Sequence, residues 1–299
     1  MSSDASQSDT HGRLAIVAGR GRLPIDIARA TLASGYKPFV IALRGEADQI
    51  PPNLEHESIG VGDGRRLVEI LKENSIDRVI LSGGVKRRPE LRELRLSFRL
   101  LAKVLTLARA LTGSGDDKLL RVVVSMIETS GCRVIGVRDV APDLLAETGP
   151  QTKKKPDKLD WKNITVACAG ANALGALDVG QGAVAVGGRI VALEGAEGTD
   201  SMLDRVAQLK QEGRISQRKR GALVKLCKPQ QDERVDLPSI GPATVINAHR
   251  AGLSGIALDA GRSLILDREQ VVLEADRLGL FVFGIDRDEV ATDITAGLS

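Results

Sequence analysis

In the segment KLCKPQQDERVDLP, Lys225 and Lys228 precede Asp232, Arg234 and Asp236 within twelve residues. Read as an extended stretch, residues two apart point the same way, so the spacing puts Asp232, Arg234 and Asp236 on one face. Carboxylates beside cations suit a hard divalent metal bridging phosphate oxygens. The same pattern also describes a solvated turn whose charges pair with one another, and spacing does not choose between the two. A second acidic group, Glu197-Gly198-Thr199-Asp200, opens a helix-forming stretch. There Thr199 or Asp200 can serve as an N-cap, or offer oxygens to a metal or a nucleotide.

Glycines supply a different chemistry. Gly19-Arg20-Gly21-Arg22-Leu23-Pro24 follows the apolar run LAIVA, and Gly83-Gly84 follows RVILS. Glycines at such places let backbone N–H groups approach an anion near a helix N-terminus. A full dinucleotide fingerprint is not met. Pro24 stands where a third small residue belongs, and the second apolar run ends Leu43-Arg44-Gly45 with no acidic residue for a ribose hydroxyl. Residues 86–109 hold eight Lys or Arg against two Glu. Arg88, Arg92, Arg95, Arg99 and Lys103 recur every three or four residues and form one helical stripe, with Leu91, Leu94, Phe98, Leu101 and Leu105 on another face. The stripe is either a solvated face or a surface for anionic lipid or phosphorylated ligands.

These groups need a frame. In the first half, strands are expected at Leu14 to Ala18, Lys37 to Leu43, Arg78 to Ser82 and in CRVIGV (132–137). Helices are expected between them, from Pro24 to about Ser34, after Gly62-Asp63-Gly64, over 88–111 and in LLRVVVSMIETS. This alternation predicts a Rossmann-like parallel sheet with ligands at the carboxyl ends of its strands. Residues 147–160, ETGPQTKKKPDKLD, hold two prolines, four lysines and no apolar run, which is linker composition. The second half predicts a helix from Ile164 to Gly175, a hairpin of GAVAV and RIVALEG around Gly187-Gly188, and a helix in SMLDRVAQLKQEG. A strand GALVKLC, helices in ATVINAHRAG and REQVVLEADRLG, and strands GIALDA and LFVFGI complete it. The expected organisation is therefore a tail at 1–12, an N-terminal Rossmann-like α/β domain at 13–146, a hinge at 147–160 and a mixed α/β domain at 161–299.

Composition narrows the function classes. The 299 residues contain four Phe, one Trp and one Tyr, too few rings for base stacking on single-stranded nucleic acid. Net charge is +3, so the molecule as a whole is no polyanion binder. Three scattered cysteines, Cys132, Cys168 and Cys227, with no CxxC pair and three histidines, argue against a zinc site or a disulfide framework and for a reducing compartment. No run of 18 apolar residues occurs, and the polar start MSSDASQSDTHG has no signal-peptide character.

Taken in order, IVAGRGRLP (16–24), LSGGVKRRPELRELR (81–95), GDDKLLR (115–121), GALDVGQGAV (175–184), EGTDSMLDRV (197–206), LVKLCKPQQDERVDLPSIG (223–241) and AGLSGIALDAGRSLILDRE (251–269) resemble the UDP-2,3-diacylglucosamine pyrophosphatases of the LpxI type. The sequence departs from that family's common pattern at Arg20 and Gly84, and has one more basic residue before Pro89. The resemblance implies a two-domain α/β enzyme with an interdomain site. It implies hydrolysis of UDP-2,3-diacylglucosamine to UMP and 2,3-diacylglucosamine 1-phosphate (lipid X) in lipid A biosynthesis, assisted by Mg2+ or another divalent cation. It makes Asp236, in R-V-D-L-P, the catalytic position and a metal ligand together with Asp232. Substrate contacts are expected at Gly19, Gly21, Arg22, Gly83, Gly84, Gln181, Thr199, Asp200, Lys225, Lys228 and Arg234. A glycolipid nucleotide substrate, cytoplasmic location with peripheral contact to the inner membrane through the Arg stripe, no nucleic acid partner and a possible homodimer complete the expectation. Rival readings from the residues alone are a non-catalytic nucleotide-binding module, a nicotinamide oxidoreductase and a membrane-docking protein.

Overall fold

The computed structural model describes residues 12–48, 50–86, 116–287 and 290, and divides the chain into two compact units, Met1–Ala141 and Pro142–Ser299. Residues 1–11 of the expected tail and the whole Arg stripe of 88–103 lie outside the described residues.

The first unit is built on five parallel strands: β1 (Arg13–Ala18), β2 (Phe39–Leu43), β3 (His56–Ile59), β4 (Ile76–Ser82) and β5 (Arg133–Val134), in the order β3-β2-β1-β4-β5. Beyond Arg13, β1 is buried throughout, as a strand covered on both faces must be, and its unbroken apolar run meets that need. Helix α1 (Leu23–Ala33) carries Pro24 in its first turn, where no backbone donor is required. Helix α2 (Gly64–Glu73) is capped by Asp63, whose side chain accepts from the Arg66 N–H at 3.2 Å, and buries Leu67, Ile70 and Leu71 on one face. Helices α3 (Asp116–Thr129) and α4 (Val137–Val140) follow. Two expectations change. The short strand β3 is polar and carries no apolar run, so only its pairing with β2 reveals it. The expected strand CRVIGV is cut to two residues, because the chain turns into α4 at Val137.

The second unit has a six-stranded mixed sheet, ordered β6 (Gly149–Pro150), β13 (Phe281–Ile285), β11 (Gly255–Asp259), β9 (Gly221–Lys225), β7 (Gly182–Val186), β8 (Arg189–Leu193). Strands β9, β11 and β13 run parallel, while β6, β7 and β8 pair antiparallel to their neighbours. A two-residue parallel pair joins β10 (Ser239–Ile240) to β12 (Leu264–Ile265). Side chains alternate across the main sheet. Ala183, Ala185, Ala222 and Ala257 meet Ile164, Ala167, Cys168 and Ala171 of helix α5 (Lys158–Ala176). Val184, Leu223, Ile256 and Val282 face the other way. They meet Met202 and Val206 of α6 (Gly198–Gln211), Val245 of α7 (Pro242–Arg250) and Val271 of α8 (Arg268–Leu278). Alanines on both surfaces let α5 lie close to the sheet; the bulkier residues fill the opposite core.

Residues 147–160, read from composition as a linker, are structured within this unit. Strand β6 pairs with β13, the Gln151 N–H donates to the Val282 carbonyl at 2.9 Å, and the Thr152 hydroxyl accepts from the Val282 N–H at 2.9 Å. A Cβ on Gly284 would lie 1.8 Å from the Glu147 carbonyl oxygen, so this edge closes only over glycine. Pro150 stands on the edge strand, where a missing N–H is tolerated, and Lys154 donates to the Ser254 carbonyl at 3.0 Å, so a composition that mimics a linker is tied to the sheet. Asp157 and Asp160 then form a reciprocal capping box for α5, and Trp161 packs edge-on against Phe283 at 5.3 Å.

Candidate active site

In the first unit the sheet order reverses at β1 and β4, the place where open α/β sheets bind ligands. The loops leaving these strands are locked together. The Gly19 N–H donates to the Ser82 carbonyl at 2.8 Å, Arg20 and Gly84 exchange two backbone hydrogen bonds at 2.7 and 3.0 Å, and the Gly21 N–H donates to the Asp48 carboxylate at 2.7 Å. Gly83 has φ +81°, and a Cβ there would lie 2.6 Å from the Arg20 oxygen; a Cβ on Gly19 would lie 2.5 Å from the Gly84 oxygen. These glycines therefore serve the close approach of two backbones, and the amides of Gly19, Gly21 and Gly84 are engaged within the unit. Arg22 pairs with the buried Asp26 at 2.9 Å, and Arg20 approaches the buried Glu46 at 3.6 Å.

In the second unit the charged side chains gather at the end of β9. Lys225 is the last residue of that strand, paired with Gly182 at the start of β7, and is 4% exposed. Its ammonium donates to the Thr199 hydroxyl at 2.7 Å and to the Ser239 carbonyl at 3.1 Å; Thr199 in turn donates to Glu194 Oε1 at 2.7 Å. Burial pushes the Lys225 ammonium below the ordinary lysine range, and the carboxylates of Glu194, Asp200 and Asp236 pull it back up. Glu194 Oε2 and Gln181 Oε1 are buried and meet no hydrogen-bond partner among the described residues. A Cβ on Gly182 would lie 2.4 Å from Glu194 Oε2, so glycine at that position makes room for the carboxylate.

The segment 232–236 is a turn and not the extended stretch its alternation predicted. The N–H groups of Val235 and Asp236 both donate to the Asp232 carbonyl, at 3.0 and 3.1 Å. Asp232 is committed to Arg234, accepting from Nε at 2.9 Å and from Nη2 at 2.7 Å. Asp236 is exposed, and its Oδ2 accepts from Gln231. Glu233 pairs with Arg262 at 2.8 Å, and Lys228 pairs with Asp178 at 2.6 Å. Just beyond β9, the Cys227 N–H donates to Asp259 at 3.2 Å; burial pushes the Asp259 carboxyl up, while Arg287 and Arg262 pull it down.

The structure thus brings Thr199, Asp200, Lys225 and Asp236 into one electrostatic group, with Gln181 beside β9 through the Leu226 N–H to Gln181 carbonyl bond at 2.9 Å. Lys228, Asp232 and Arg234 share the loop, where Asp232 and Arg234 pair with each other and Lys228 reaches Asp178. Thr199 and Asp200 are not N-caps: the cap is Glu197, and both side chains lie in the first turn of α6. Sequence reasoning missed Glu194 and Gln231. The acidic run LEGAEGTD held a signal for Glu194; nothing in KPQQD marked Gln231. Among the described residues no group of three His, Cys, Asp or Glu side chains is placed to hold a metal ion. An Mg2+ that keeps its waters and borrows substrate phosphates needs only one or two protein carboxylates, and the exposed Asp236 fits that role better than Asp232, whose oxygens face Arg234.

Family models for the LpxI N-terminal domain match residues 13–144, and those for the LpxI C-terminal domain match 147–283. A relative from Caulobacter vibrioides, the UDP-2,3-diacylglucosamine pyrophosphatase LpxI, is 39% identical over 279 residues, 93% of this chain and 99% of its own. The chain belongs to the LpxI family. The two-unit α/β architecture is that of the family's paired N- and C-terminal domains. Among solved structures, the Bordetella bronchiseptica enzyme WbmH in complex with NAD+ aligns at a TM-score of 0.26 with 15% identity, over 40% of this chain and 36% of its own. A GalE-like L-threonine dehydrogenase from Cupriavidus necator aligns at 0.32 with 9% identity, over 93% and 88%. Scores this low speak to neither fold nor function. Among the described residues no helix is long and apolar enough to cross a membrane.

Proposed function

We infer that this LpxI chain hydrolyses the pyrophosphate of UDP-2,3-diacylglucosamine, giving UMP and 2,3-diacylglucosamine 1-phosphate for lipid A biosynthesis. The observation that carries the reading is identity of 39% across nearly the full length of both the chain and an enzyme named for that activity. The second unit supplies suitable chemistry. Hydrolysis needs an oriented water and neutralisation of charge on the phosphate oxygens. Asp200 and Asp236 are both exposed carboxylates of the group; Asp236, the R-V-D-L-P position, serves to hold a divalent cation or to orient the water. Among the described residues Lys225 donates to Thr199 and Ser239, which aims the ammonium, and its third N–H is the one offered to an oxygen of the substrate. Thr199 and Asp200 line the same position at the start of α6. A bound Mg2+ would supply neutralisation of the phosphate charge. Gly19, Gly21, Arg22, Gly83 and Gly84 are the proposed substrate contacts of the first unit. The enzyme acts in the cytoplasm at the surface of the inner membrane, where its diacylated substrate resides.

Incubation of the full chain with UDP-2,3-diacylglucosamine, with and without EDTA, tests this reading through release of UMP. Release that stops with chelator is expected. Release indifferent to EDTA removes the metal and keeps the hydrolase; no UMP under either condition overturns the activity.

A further inference from the structure

Gln231 stands five residues before Asp236, on the far side of the 232–236 turn. Its Oε1 accepts the Lys228 backbone N–H at 3.0 Å and lies 3.5 Å from the Cys227 thiol, while its Nε2 donates to Asp236 Oδ2. An amide side chain has one oxygen and one NH2 group, so the Lys228 N–H decides which end points where. Reversed, the amide would oppose N–H to N–H at Lys228 and oxygen to carboxylate at Asp236. The anchoring end is itself fixed, since the Cys227 N–H is held by the buried Asp259. A continuous path of hydrogen bonds thus runs from the end of β11, through the backbone after β9, to the carboxylate of Asp236. The Glu233–Arg262 pair holds the same loop at a second point.

Asp236 is an exposed side chain on a turn, and its backbone contact with the Asp232 carbonyl leaves its own rotamer free. We propose that Gln231 is the positioning residue for Asp236: it engages Oδ2, fixes the plane of the carboxylate and leaves Oδ1 for the cation or the water. This rests on the assignment of Asp236 as the working carboxylate. A displaced reacting group loses rate chiefly in the chemical step, while substrate recognition by other residues is retained.

The test uses the full-length enzyme with Gln231→Ala and Gln231→Glu, each alone and combined with Asp236→Glu, alongside Asp236→Ala. Gln231→Ala should lower kcat about 10- to 100-fold with KM within about threefold. Gln231→Glu keeps the shape and the acceptor for Lys228, sets carboxylate against carboxylate, and should lose at least as much. Asp236→Glu already moves the carboxylate away from Gln231, so adding Gln231→Ala to it should cost little more, a non-additivity that a merely structural role would not produce. Should Gln231→Ala fail to fold, the isosteric Gln231→Glu carries the same comparison. A kcat within twofold of wild type in either soluble Gln231 variant overturns the proposal, as do losses that simply multiply in the combined variant. Full activity in Asp236→Ala overturns the assignment of Asp236 and the proposal with it. Loss in Asp236→Ala with none in the Gln231 variants overturns the proposal alone.

Discussion

The two strand-end regions of the molecule use opposite materials. At the end of β1 and β4 the work is done by backbone: glycines let two loops close on each other, and their amides are largely engaged in doing so. At the end of β9 and β11 the work is done by side chains, a buried lysine among carboxylates and an exposed aspartate steadied by an amide. A glycine-rich loop at a topological switch point is commonly read as an anion cradle. Here the same residues first satisfy a packing demand, which shows that glycine content alone does not distinguish a ligand cradle from a loop crossing.

If that contrast holds, substitutions at the two places should fail in different ways. The largest effect is expected at Asp236. Asp236→Ala should lower kcat by about 10²–10⁴-fold, the usual worth of a carboxylate that handles a proton or water, while substrate affinity measured by titration calorimetry changes little. An inactive variant that also fails to bind would move Asp236 from the chemical step to recognition. Next comes Lys225→Met, which removes a buried cation and leaves Glu194 uncompensated; it should cost about 3–5 kcal/mol in denaturant unfolding as well as activity. Adding Glu194→Gln should recover part of that stability, and a strictly additive double variant would show that the two charges do not communicate.

Smaller effects are expected in the first unit. Gly83→Ala meets both a left-handed φ and backbone atoms within 3 Å, and should destabilise by about 2–3 kcal/mol. Gly84→Ala meets nothing within 4 Å and should shift the thermal midpoint far less. Equal shifts for the two would undo the loop-crossing account. The mildest test is alkaline. Burial pushes the Cys227 thiol up to about 11 and the Cys168 thiol up to about 12, from an ordinary value near 9. Below pH 9 both thiols stay protonated in the folded and unfolded chains. From pH 9 upward the unfolded chain releases protons that the folded chain retains, so folding stability falls with pH. Cys227→Ala should flatten that fall between pH 9 and 11, read from urea midpoints across the range.

Much of this was written into the order of residues. The apolar runs of β1, β2 and β4, the glycine turns after them, the hairpin at Gly187-Gly188 and the alternation of the second sheet each follow from local pattern, because burial on one or both faces constrains residue type directly. The ordered motifs identified the family and marked Asp236 as the expected catalytic position. What pattern could not carry was pairing. Strand β3 exists through its bonds to β2, and the Pro- and Lys-rich stretch at 147–160 became a sheet edge only because β13 was there to receive it. The fate of each charge was likewise a tertiary matter. Asp232 and Asp236 look equivalent in DERVD, yet the turn hands one to Arg234 and leaves the other exposed against Gln231. Lys225 and Lys228 look equally available, yet one ends a buried strand and the other reaches Asp178. Sequence sets which residue types can bury, turn or ionise, since those are properties of single side chains and their spacing. Which partner neutralises which charge depends on distances that exist only once remote segments have packed.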